Sequence, residues 1–107
     1  MRYLADPHVH VEFLRWEDLE LMSMCGIRAL IAQPYYPRRA SVPTAEDFFR
    51  FWDRLLTHEV WRAESNGIRL FLAVGIHVVS PPKDPQVIIE RLPELLKEKA
   101  VAAIGEI

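Results

Sequence analysis

The sequence predicts an α/β fold built on a parallel sheet, and two observations carry that reading. Strand-length apolar runs alternate with helical stretches along the whole chain, in the order β-α-β-α-β-α-β. Strands joined by helices in this way pair in parallel, with right-handed crossovers. In addition, a polar side chain falls at or just past the C-terminal end of each strand: His10, Gln33, His77 and Glu106. That edge of a parallel sheet is where ligands bind.

The first strand candidate runs from Arg2 to His10 and contains Asp6-Pro7-His8-Val9-His10. Side chains at i, i+2 and i+4 of a strand share a face, so Asp6, His8 and His10 are expected to converge. Neutral imidazole nitrogens bind zinc-like ions at about 2.0–2.1 Å, and a His-x-His pair can reach a single ion. Asp6 is then either a further ligand or the group that orients a histidine. Pro7 has no N–H for a ladder, which suits a strand end.

A short helix follows from Glu17 to Cys25, stopped by Gly26. Within it, Cys25 reads as a buried, inert thiol. Ile27 to Gln33 is an uninterrupted apolar strand ended by Pro34, the kind of strand that a sheet covered on both faces produces. The loop from Gln33 to Pro43 carries Tyr35, Tyr36, Arg38 and Arg39. Loops of this length are disproportionately functional.

Thr44 and Asp47 form a capping-box pattern that opens a long amphipathic helix to about Ser65, with its tryptophans and phenylalanines in the core. His58-Glu59 invites comparison with the zinc-protease motif, but Arg62 stands where that motif needs its second histidine. The third strand, Ile68 to Ile76, alternates informatively. Leu70, Leu72, Val74 and Ile76 suit a helix layer, while Phe71, Ala73, Gly75 and His77 share the other face. Pro93 is expected to break or kink the helical stretch from Pro85 to Lys99. Ala100 to Ile107 is the fourth strand.

The length of 107 residues allows one domain, 1–107, with a single core. A net charge of −2 disfavours a generally basic nucleic-acid binder. One cysteine, no signal-peptide pattern and no apolar run near the roughly 18 residues of a membrane span point to a cytoplasmic protein with no membrane partner.

The motifs Asp-Pro-His-Val-His on strand one, Gly75-Ile76-His77 on strand three and Ala103-Ile104-Gly105-Glu106-Ile107 on strand four resemble the TatD-like metal-dependent hydrolases, a (β/α)8 TIM-barrel branch of the amidohydrolase superfamily. Gly26-Ile27-Arg28-Ala29 and the loop from Gln33 to Tyr36 look most like the archaeal TatD-related group. The resemblance implies the N-terminal four β/α units of such a barrel. It implies that His8, His10 and Glu106 ligate one or two divalent ions (Zn, Mg or Mn), with Glu106 in the catalytic machinery. It also implies that His77 approaches the substrate or its phosphate. The family commonly continues from that histidine with a proline and another polar residue, whereas Val78 and Val79 stand here.

A (β/α)8 barrel needs about 200 residues or more, so the chain reads as part of a longer protein or as a truncated product. In the second case a homo-oligomer would cover its exposed sheet edges. The expected activity is metal-dependent hydrolysis of a phosphodiester, as in a deoxyribonuclease, with DNA or another phosphoester as substrate. Arg38 and Arg39 are candidate phosphate contacts, and Gln33 a further substrate contact. The rival readings are a phosphoesterase of the polymerase-and-histidinol-phosphatase type, which also opens with His-x-His, and a non-catalytic half-barrel assembly module.

Overall fold

The computed structural model describes residues 2–34 and 41–105. Four strands, β1 (Leu4–Val9), β2 (Ile27–Ala32), β3 (Arg69–Val74) and β4 (Val101–Ile104), form one sheet in the order β1-β2-β3-β4. Every neighbouring pair is parallel. Strand order follows chain order without reversal, so crossovers of one hand lay their helices on one face. This winding belongs to a barrel rather than to a doubly wound open sheet, whose strand order turns back on itself.

Helix α1 (Trp16–Met24) follows a short 3₁₀ turn (Val11–Phe13). The Asp18 carboxylate accepts the Arg15 backbone N–H at 2.8 Å. That bond, followed by the Arg15 side chain, holds the Asp18 carboxyl below its usual range. Cys25, just past the helix, is exposed rather than buried. The apolar residues of α1 are not gathered on one side: Leu19 is buried, while Leu21 and Met24 stand in solvent.

The stretch expected as one long helix is α2 (Ala45–Arg54), a π-helical turn (Leu55–Glu59) and α3 (Val60–Ser65). Thr44 and Asp47 form the expected capping box, Oγ1 of Thr44 accepting from the Asp47 N–H at 3.3 Å and Asp47 Oδ2 accepting the Thr44 N–H at 2.8 Å. Phe48, Trp52, Leu55, Glu59 and Ala63 make the buried stripe. Glu59 is neutralised within it by Arg62, 2.9 Å away. Trp61, expected in the core, is two positions off the stripe and 57% exposed, its ring tilted against that of Trp16.

Helix α4 (Pro85–Leu95) runs through Pro93 instead of breaking there. Proline costs a helix the N–H bond to the residue four positions back, here Ile89. Ile89 is half exposed, and the helix ends two residues beyond Pro93.

Register fixes the two faces of the sheet. Leu30 pairs with Leu70, and Ala32 with Leu72; all four are buried against the helices together with Val74. Ile31 pairs with Phe71, and Ala73 with Ala103, on the opposite, inner face. The loop after β3 is tied to the start of α2: the Lys83 N–H donates to the Pro43 carbonyl at 2.9 Å, and Asp84 Oδ1 accepts the Ala45 N–H at 2.7 Å. The carboxylate therefore satisfies a first-turn donor of a helix 39 residues away in sequence. Replacing Asp84 with Ala is expected to lower stability by about 0.5–2 kcal/mol, the range for a lost helix cap. Urea denaturation monitored by tryptophan fluorescence would measure the loss, and a change within error would show that the bond contributes nothing.

Candidate metal and substrate site

The register of β1 against β2 shifts twice, first between Leu4 and Ala5 and again between Asp6 and Val9. Asp6 pairs with Leu30 and Val9 with Ala32, so β1 spends three steps where β2 spends two. This is a β-bulge, and Pro7 sits inside it, where a residue without an N–H loses no ladder bond. The next N–H, that of His8, donates to Asp6 Oδ1 at 3.0 Å. Asp6 pairs with helix-facing Leu30, and the two-residue alternation that would carry it to the side of His8 and His10 is interrupted. Its carboxylate serves the backbone of the bulge.

Beyond the bulge the ladder resumes, with the Gln33 N–H donating to the Val9 carbonyl at 2.9 Å. Val9 then points to the helices and is buried, while His8 and His10 take the inner face. Their ring centroids are 5.4 Å apart. Two imidazoles bound to one ion through bonds of about 2.0–2.1 Å at a tetrahedral angle would hold their rings on the order of 5 Å apart. His10 Nδ1 lies 2.7 Å from the Gln33 carbonyl. A carbonyl only accepts, so Nδ1 carries the hydrogen and Nε2 keeps its lone pair. This arrangement orients metal-ligating histidines.

His77 follows β3, its ring 6.4 Å from that of His10. Its Nδ1 accepts the Val79 N–H at 3.1 Å. In the neutral ring the hydrogen therefore sits on Nε2, and His77 presents a donor where His10 presents a lone pair. A cleft of about 300 Å³ opens beside it, walled by Ile76, Val78, Pro81, Ile89 and Leu92.

Gln33 closes the group. Its Nε2 approaches the Pro7 carbonyl at 3.4 Å, while Oε1 is buried with no hydrogen-bond partner among the described residues. Oε1 lies where a Cβ on Gly105 would be, 2.2 Å from it; the same Cβ would stand 2.8 Å from Ala73 Cβ. Gly105, part of the strand-four motif, is thus the reason Gln33 can lie across the sheet. The signal available was a glycine directly before the candidate ligand Glu106.

Among the described residues no group of three His, Cys, Asp or Glu stands ready to hold a metal. They supply two imidazoles, one with its tautomer fixed for ligation. This set fits part of the coordination shell of a divalent ion. Glu106, Arg38 and Arg39, the other residues singled out from the sequence, lie outside the described residues, as do Tyr35 and Tyr36.

Gly105→Ala is expected to displace Gln33 and to destabilise the protein by about 1–3 kcal/mol, the usual cost of overpacking. The Gln33 side-chain amide resonances should shift with it. A variant as stable as the parent, with those resonances unmoved, would contradict the close approach.

No family model matches the chain. A protein of Methanocaldococcus jannaschii described as an uncharacterized metal-dependent hydrolase is 40% identical over 103 residues, which are 96% of this chain and 40% of that protein. The crystal structure of a TatD-like protein from Archaeoglobus fulgidus superposes with a TM-score of 0.81 at 26% identity, covering 97% of this chain and 42% of the other. The chain thus spans about two fifths of the length of each relative. Its sequential parallel sheet is the corresponding part of a barrel, and the chain is similar in sequence to the metal-dependent hydrolase and in fold to the TatD-like protein.

Proposed function

We propose that this chain carries the histidine part of a divalent-metal site in a hydrolase that cleaves phosphodiesters, DNA among them. The observation that carries the reading is the His8–His10 pair with its bond to the Gln33 carbonyl. A pair of exposed strand histidines with no chemical task needs no such bond to fix the tautomer of one ring. The metal-dependent hydrolase of M. jannaschii, 40% identical to this chain, supports the same chemistry.

His8 and His10 would hold the ion, with Glu106 as the next ligand. A divalent ion bound there lowers the pKa of a water molecule and polarises a phosphoryl oxygen. His77 offers its Nε2–H to a phosphate oxygen and stabilises negative charge as it accumulates there. A donor or a cation reaching the buried Gln33 oxygen would relieve the cost of burying it without a partner among the described residues. The apolar cleft beside His77 would take an uncharged part of the substrate. Arg38 and Arg39 would add phosphate contacts from the loop after β2. Because net charge is −2, attraction for a polyanion must arise locally, at the ion and at these side chains.

His8→Ala combined with His10→Ala is expected to abolish metal-dependent cleavage of a single-stranded oligonucleotide. It should also weaken divalent-metal binding, measured by calorimetry, by more than the ~10–100-fold that loss of an orienting partner costs. Unchanged metal binding and turnover in the double variant would sink the proposal. His77→Gln, in contrast, should leave metal content unchanged while lowering kcat by about 10²–10³, the cost of one lost transition-state donor. An equal loss of bound metal would make His77 a ligand instead.

A further inference from the structure

We propose that Arg62 is a positioning residue for the metal site: by joining Glu59 to the Leu14 carbonyl it holds the 3₁₀ turn that begins at His10, and with it the imidazole. The inference rests on the reading of His8 and His10 as metal ligands and adds to it a residue outside the mouth.

His10 lies where two anchored lengths of chain meet. On its N-terminal side is the ladder, with the Gln33 N–H on the Val9 carbonyl. On its C-terminal side it caps the 3₁₀ turn, its own carbonyl accepting the Phe13 N–H at 3.0 Å. The Val11 carbonyl accepts the Leu14 N–H in the same way, also at 3.0 Å. Such turns are short and their hydrogen bonds poorly aligned, so their placement depends on what they are tied to. Leu14 is extended, with φ −85° and ψ 136°, and its carbonyl has left the turn. Arg62 Nη2 donates to that carbonyl. Nη1 of the same guanidinium donates to Glu59 Oε2 at 2.9 Å.

Stability alone is a poor reason for this pair. The Arg62 and Glu59 side chains are 12% and 3% exposed. Desolvating two charges offsets most of their attraction, and apolar residues of similar volume often serve a core as well or better. A guanidinium is a planar fork whose donors have fixed directions, which suits joining a carboxylate on one element to a carbonyl on another. Glu59 ends the π-helical turn, and the 3₁₀ turn packs against it. Single π-helical turns inside helices are frequent at functional sites. The Glu59–Arg62 spacing, which does not make a zinc-protease motif, thus reaches a connection 48 residues away in sequence, directly after the candidate ligand. A ligand's ring has to be held within about 0.5 Å of its productive place. The 2.7 Å approach of His10 Nδ1 to the Gln33 carbonyl requires the same of the backbone that carries the ring.

The test replaces the pair by apolar residues, Glu59→Leu with Arg62→Met, in the 107-residue chain, so that no buried charge is left alone. The urea midpoint is expected to match or exceed the parent's. Zinc affinity, by calorimetry, should fall by about 10–100-fold, as when an orienting partner is lost. In the metal-free protein the ring nitrogen resonances of His10 should move from those of one tautomer toward the average of two. A variant of parental stability that keeps its zinc affinity and its tautomer would overturn the proposal. A loss of affinity matched by an equal loss of stability would also overturn it, assigning the pair to the core. Should the double variant not fold, the parent decides. Zinc is expected to slow hydrogen exchange at the Phe13 and Leu14 amides and to shift the Arg62 Nε resonance, and zinc-saturated protein with neither change would count equally against it. A parent that binds no zinc sinks the metal-site reading itself, and the tautomer comparison between the metal-free proteins then decides the role of Arg62.

Discussion

The bond from the His10 imidazole to the Gln33 carbonyl joins the pairing of β1 with β2 to whatever the histidines bind. It exists only in one register. The bulge at Pro7 inserts one residue into β1, and the ladder resumes with Val9 turned to the helices. A slip by one residue would exchange the faces, burying the imidazoles among leucines and turning Val9 to the mouth. The Asp6 carboxylate, by accepting the His8 N–H, satisfies the donor that the bulge removes from the ladder. Each such bond is worth about 0.5–1.5 kcal/mol net, modest against the burial of Leu30, Leu70 and Leu72. Their importance lies in orientation, since a ligand's ring must be placed before an ion arrives.

The inner face of the sheet is built to leave room at this end. Ala73, Gly75, Ala103 and Gly105 take the upper inner positions of β3 and β4, where larger residues would fill the space. Into that space Gln33 reaches across from β2. An oxygen buried without a partner among the described residues costs about 1–3 kcal/mol, a cost that a polar partner arriving there would relieve. The contrast between His10 and His77 has a similar origin: one Nδ1 faces a carbonyl and the other an N–H, so two identical side chains become a lone-pair donor and a hydrogen-bond donor.

Much of this was legible in the residues. The alternation of β3 separated helix-facing from inward side chains because every second position is a large aliphatic, and the sheet keeps that division. The parallel order followed from strands spaced by helices. Asp6 was misplaced because counting by two assumes an unbroken ladder; Pro7, with no N–H to give, was the clue that it breaks. Trp61 was misjudged by residue type, although its phase against Phe48, Trp52 and Leu55 puts it off the buried stripe. Glu59 lies on that stripe, and only Arg62 three positions later makes a buried carboxylate tolerable. Cys25 and Pro93 turned on local position, one past the end of a helix and the other close to it. The π-helical turn has no counterpart in the spacing of apolar residues, because adding a residue to one turn leaves the composition of the stripe intact.

Charge shows how binding is divided between the fold and its mouth. A chain of net charge −2 creates no field that draws a polyanion from a distance. Under the proposed function, a doubly charged cation held by the two imidazoles would reverse the sign of its surroundings over a few ångströms, and only where the strands end. Neutral ligands suit that task better than carboxylates alone, which would cancel the charge they hold. Under the proposed function, affinity for phosphate would depend on the ion, and occupancy of the ion on the β1–β2 register and the imidazole-to-carbonyl bond. Selectivity among the proposed phosphate esters would then rest with the neighbouring surfaces. Beside His77 these are the apolar walls of the cleft, Val78 among them, which would favour an uncharged substituent over a second phosphate.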